Sequence, residues 1–134
     1  MKAQDLRLGN LVMYNYKCDR LAIVEEITRT TVTIKFLEKA EDEVQKVTVS
    51  PKDLIPFLIT EKVLLKFGLK QDKIYKYRYS IETFHLHHMA DFDTKKEWML
   101  ALDYGQFLSS YVSYAHQLQN LFFSLTQNEL EFKV

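Results

Sequence analysis

Tyr111-Val-Ser-Tyr-Ala-His116-Gln-Leu-Gln-Asn120-Leu-Phe-Phe-Ser-Leu125-Thr-Gln-Asn128 is the stretch whose reading decides the architecture. Tyr111, Ala115, Leu118, Phe122 and Leu125 recur at spacings of three and four, while Gln117, Asn120, Ser124 and Gln127 fall largely elsewhere. That is the pattern of an amphipathic helix with one apolar stripe. Asn128 is its expected C-terminal cap, and Leu130-Glu-Phe-Lys-Val134 can follow as a short edge strand. The helix comes after a series of strand-like segments, so the order predicts a sheet closed over by a final helix.

Immediately upstream, Lys73-Ile-Tyr-Lys-Tyr-Arg-Tyr79 alternates rings with cationic or apolar residues, and Ile81-Glu-Thr-Phe-His-Leu-His87 places Phe84 and Leu86 opposite Thr83, His85 and His87. Asp91-Phe-Asp-Thr94 reads as a turn and Glu97-Trp-Met-Leu-Ala-Leu102 as a buried strand; Gly105 and Ser109-Ser110 lead into the helix. Further back, Thr60 can cap a two-turn helix whose apolar face is Val63, Leu64 and Phe67 and whose stop is Gly68. Before that stands a string of short β-branched runs: Leu11–Tyr14, Leu21–Val24 with Ile27, Thr31–Phe36 and Val44–Val49. The charged Glu38–Glu43 stretch reads as a solvated hairpin tip, and Pro51 and Pro56 mark where the sheet should end.

The resulting fold class is α+β: an SH3-like or meander β module at residues 1–56, then residues 57–134 as a short linking helix and a second antiparallel sheet covered by the C-terminal helix, the two open to fusing into one domain. In 134 residues, 47% are hydrophobic, with nine Phe and eight Tyr, enough apolar surface to offset ordering entropy and to exclude disorder. Eighteen acidic and eighteen basic residues cancel. A duplex binder usually carries a basic excess, so the balance argues against that role but leaves room for a local basic patch. It also does little to oppose homo-oligomers. Cys18 stands alone, the N-terminus lacks a signal-type apolar core, and no stretch reaches membrane-spanning length, so a cytoplasmic protein with no membrane partner is expected.

Candidate chemistry is sparse. His85 and His87, two apart on one strand, point the same way and can share a metal ion, with Asp91, Asp93 or His116 completing the set; the simpler reading is a polar strand face. Cys18, between Lys17 and Arg20, has a thiolate-favouring setting but no base signature beside it. Three glycines in the whole chain cannot build a phosphate cradle, which excludes Rossmann and P-loop enzymes; no cofactor is expected. Tyr75, Tyr77 and Tyr79 form a row that can stack nucleobases or close an interface, with Lys76 and Arg78 on the other face; the alternative puts the rings in the core. His116, Gln119 and Asn120, flanked by aromatics such as Phe123, suit either an interface or the capping of buried strand ends.

Lys2–Val12, Ile59–Gly68 and Tyr114–Thr126 together resemble a family of small uncharacterised proteins found in Bacteroidetes genomes, prophages and phages. Its members carry LRIGN(L/Y)V, LTEEWLLKFGF and VHQLQNLYFALTGEEL in that order, and all three blocks have counterparts here. Gln127-Asn128 stands where the family usually has Gly after Thr126. The resemblance implies a mobile-element setting and supplies no catalytic residues to carry over. The expected function is a non-catalytic binding protein that engages a host protein or sequesters a small nucleotide-like ligand. The alternatives are a metal-dependent enzyme using His85 and His87 and a nucleic-acid-associated factor.

Overall fold

A computed structural model of the chain describes residues 1–38, 44–88, 98–102 and 107–134. The expected tip at residues 39–43, the turn at Asp91–Thr94, Glu97 and Gly105 lie outside them. The fold is α+β, with two five-stranded antiparallel sheets. Two compact units make up the chain. The first is Met1–Leu58 with Tyr114–Asn120, and the second is Ile59–Ser113 with Leu121–Val134.

In the first unit, β1 (Leu11–Tyr16), β2 (Cys18–Ile27), β3 (Val32–Phe36) and β4 (Lys46–Val49) form a meander, and β5 (Ile55–Pro56) returns to pair with β1. The order is β4-β3-β2-β1-β5. β4 and β5 end as the two edges, so among the described residues the sheet is an open meander and no closed barrel forms. Period-two burial explains why these runs are strands. Arg20, Ala22 and Val24 of β2 turn inward, as do Val32, Ile34 and Phe36 of β3. All of these but Arg20 join Leu6, Val12, Val49 and Leu54 in one hydrophobic core. Burying each such aliphatic or aromatic side chain contributes about 1.5–3 kcal/mol. Arg20 is tolerated there because its guanidinium lies 4.0 Å over the Phe36 ring and donates to the Glu38 carbonyl at 3.0 Å. Lys17 alone, at φ 65°, joins β1 to β2, and it leaves Cys18 exposed at the head of β2.

The second unit opens on α1 (Glu61–Lys66). Thr60 caps it as expected, its hydroxyl accepting from the Val63 amide at 3.3 Å. At the other end Leu69 N donates to Leu64 O and Gly68 N to Leu65 O, the paired bonds of a Schellman stop, with Gly68 at φ 90°. Then come β6 (Lys70–Gln71), β7 (Arg78–Ile81), β8 (Phe84–His88), β9 (Trp98–Leu102) and β10 (Phe107–Val112), side by side in reverse order. One face of this sheet is core: Tyr79 meets Trp98 edge-on at 5.5 Å, and Phe84 meets Phe122 at 5.3 Å. The Phe132 ring packs edge-on against Phe67 at 5.2 Å, and Lys133 N donates to Lys66 O at 2.8 Å.

Several sequence expectations change. The strand expected from Lys73 begins only at Arg78, because the preceding residues fold into a loop described below. The final helix, α2 (Ala115–Thr126), starts four residues after Tyr111, since Phe107–Val112 pairs with β9 as a strand. Gln117 fixes the helix start by accepting from the Tyr114 amide at 3.1 Å. Leu118 and Phe122 are buried as the stripe requires, but Tyr111 is 54% and Leu125 44% exposed. The left-handed residue past the helix is Gln127, at φ 61°, and not Asn128; Leu130–Val134 forms no strand among the described residues and is anchored by buried Leu130. Among the described residues, no helix is long and apolar enough to cross a membrane.

Candidate functional site: an aromatic loop of the second unit

The two residue groups singled out as binding candidates have opposite fates. His116, Gln119 and Asn120 belong to the first unit and are turned toward its N-terminal segment. Gln119 is 4% exposed; its carbonyl oxygen accepts from the Leu11 amide at 2.8 Å and its NH2 donates to Gly9 O at 3.0 Å. Asn120 accepts from Asn10 Nδ2 at 2.8 Å and donates to Asp5 O at 3.0 Å. Asn10, buried to 1%, in turn accepts from the Arg7 amide at 2.7 Å. The network satisfies backbone groups at the entry to β1, where Gly9 takes φ 86° to make the turn. His116 is buried beneath a parallel Tyr114 ring at 6.0 Å, and its Nδ1 has no hydrogen-bond partner among the described residues. Burial pushes its pKa down; Asp5 pulls it up and the N-terminal amine adds to the depression.

Tyr75 and Tyr77 lie outside any strand, about half exposed at 50% and 47%, whereas Tyr79 is buried to 2% in the sheet core. The expected row of three rings is therefore split. The cause is Asp72. Its carboxylate accepts from the amides of Ile74 at 2.8 Å and Tyr75 at 2.9 Å, which bends the chain away from β6. Those amides, Tyr75 first, hold the Asp72 carboxyl below its ordinary range. The loop is closed by Asp72 N to Arg78 O, Arg78 N to Tyr75 O and Gln71 Nε2 to Lys76 O, at 2.8, 3.0 and 2.8 Å. His88 N then donates to Tyr77 O at 2.9 Å, tying the loop to β8.

This scaffold presents an aromatic surface. The Tyr75 and Tyr77 rings lie 5.8 Å apart, tilted by 47°, and Tyr77 meets His87 edge-on at 5.5 Å. Register places Arg78 opposite His87 and Ser80 opposite His85 on the same sheet face. Arg78 stands 4.0 Å from the Asp72 carboxylate. Ile74, at 80% exposure, and the exposed Lys73 and Lys76 belong to the same loop. In the sequence the role of Asp72 is hidden by the alternation that follows it. The available signal was an Asp followed two and three residues later by amides it can bind, the mark of an Asx turn.

His85 and His87 do share a face. His85 is buried and hydrogen-bonds Ser80 through Nδ1; half-buried His87 is pushed toward the neutral form by burial, then by Arg78 and His85. Among the described residues no three His, Cys, Asp or Glu side chains gather as a metal-binding group. Asp91 and Asp93 fall outside that set. Comparison of the chain with protein-family models, curated proteins and solved structures returns no match.

Proposed function

We propose that this chain is a non-catalytic binding protein and that the Lys73–Tyr77 loop is its recognition surface. The carrying observation is that Tyr75 and Tyr77, each about half exposed, stand on a loop whose backbone is fixed by Asp72 and Gln71. A pre-shaped loop loses little entropy on binding, and tyrosine supplies large contact area with few rotors. A host protein or a nucleotide-like ligand fits this reading. The Bacteroidetes mobile-element setting, in the bacterial cytoplasm, belongs to the same proposal and rests on the three resembling sequence blocks.

The test is isothermal titration of the purified chain against nucleotides, together with pulldown from host lysate, each repeated with Y75A/Y77A. Loss of a titration heat or of one captured band in the variant is the expected result. Ligand capture indifferent to both rings would overturn the assignment of the loop.

A further inference from the structure

From Lys70 to Arg78 the chain carries four cations, Lys70, Lys73, Lys76 and Arg78, against one carboxylate, Asp72, although the molecule as a whole is neutral. Asp72 is already engaged by two amides and faces Arg78 at 4.0 Å, which leaves Lys70, Lys73 and Lys76 as the excess. The excess positive charge is therefore local and coincides with the exposed rings. Lys73 and Lys76 are exposed and flank Tyr75 and Tyr77 in sequence. Such interleaving matches a ligand that alternates flat apolar faces with negative charge. The core of a protein interface is instead depleted in lysine. Duplex nucleic acid keeps its base faces stacked inside, whereas a single strand offers them to tyrosine.

We infer that the ligand of this loop is single-stranded nucleic acid, with bases stacked on Tyr75 and Tyr77 and phosphates beside Lys73, Lys76 and Arg78. The inference rests on the loop being a recognition surface, as proposed above. Stacking tolerates any base, so recognition is by strandedness rather than sequence. Three phosphates neutralised on a single strand give a log–log salt slope of about −2, so affinity falls roughly twentyfold between about 50 and 200 mM salt.

The experiment is fluorescence anisotropy of the full chain with a labelled short oligo-dT and with a matching duplex, across that salt range. Wild-type protein should bind the single strand in preference to the duplex, with the stated salt dependence. Y75A/Y77A should weaken binding roughly tenfold or more, Y75F/Y77F should restore most of it, and K73Q/K76Q should weaken it and flatten the salt slope. Circular dichroism of each variant checks the fold, which exposed side chains should leave intact. No binding at low salt, equal binding of duplex, or binding unchanged by Y75A/Y77A would overturn the inference. If oligonucleotide binding fails while a protein is captured through Tyr75 and Tyr77, the nucleic-acid assignment falls and the recognition loop stands. If neither depends on the rings, both fall.

Discussion

Two polar surfaces of this protein use their side chains in opposite ways. In the first unit, the Gln119 amide and the Asn10–Asn120 pair are turned inward and spent on backbone groups of Asp5, Arg7, Gly9 and Leu11. In the second unit, the backbone of the 72–78 loop satisfies itself with help from Asp72 and Gln71, and the Tyr75 and Tyr77 rings face outward. Residue type alone did not separate them. What separates them is where the hydrogen bonds go: a side chain that completes the backbone has little left for a ligand.

The largest effect should come from breaking the inward set. Gln119→Leu keeps the volume but strands the Leu11 amide and the Gly9 carbonyl, and should cost about 3 kcal/mol in urea unfolding. A loss below about 0.5 kcal/mol would show that the network is ornamental. Acidification comes next. His116 in the first unit and His87 in the second are both held below the ordinary imidazole pKa, so the unfolded chain takes up these protons more readily. Stability should be full above the normal range near pH 6.5 and drain away as pH falls below it. Urea midpoints at about pH 7.5 and 5.5 check this, and H116Q should shrink the difference; an unchanged difference would remove His116 from the account.

Smaller is the helix end. Gln127 takes a left-handed conformation that costs a side chain about 1 kcal/mol, so Gln127→Gly should raise the melting temperature by a few degrees. A fall would mean that the Gln127 side chain contributes more than its backbone costs. Least affected should be Y75A/Y77A, whose unfolding free energy should stay within about 0.5 kcal/mol of wild type although ligand capture is lost. A large destabilisation would move these rings from the outward class to the inward one.

The sequence legibility of the two units differs for related reasons. Val32, Ile34 and Phe36 alternate with Thr33 and Lys35, and a half-buried strand is the arrangement that buries all three. Thr60 and Gly68 announced α1 through local capping chemistry. Tyr111 sits four residues before Ala115 and so mimics a helical stripe, yet its segment pairs with β9, the strand just before it, and periodicity cannot register that partner. The Tyr75–Tyr77–Tyr79 alternation failed because one carboxylate, Asp72, overrides it. Gln119 was readable in part: it lies four residues after Ala115 and three before Phe122, on the buried stripe itself.

The first unit is discontinuous in sequence, since Met1–Leu58 shares it with Tyr114–Asn120. That has a consequence for synthesis on the ribosome. Leu11 finds its Gln119 partner only after more than a hundred further residues have been added. A nascent chain can zip the hairpins of this unit, but it must carry the mouth of β1 unsealed until Gln119 has emerged, which makes that interval the window in which a chaperone has most to protect.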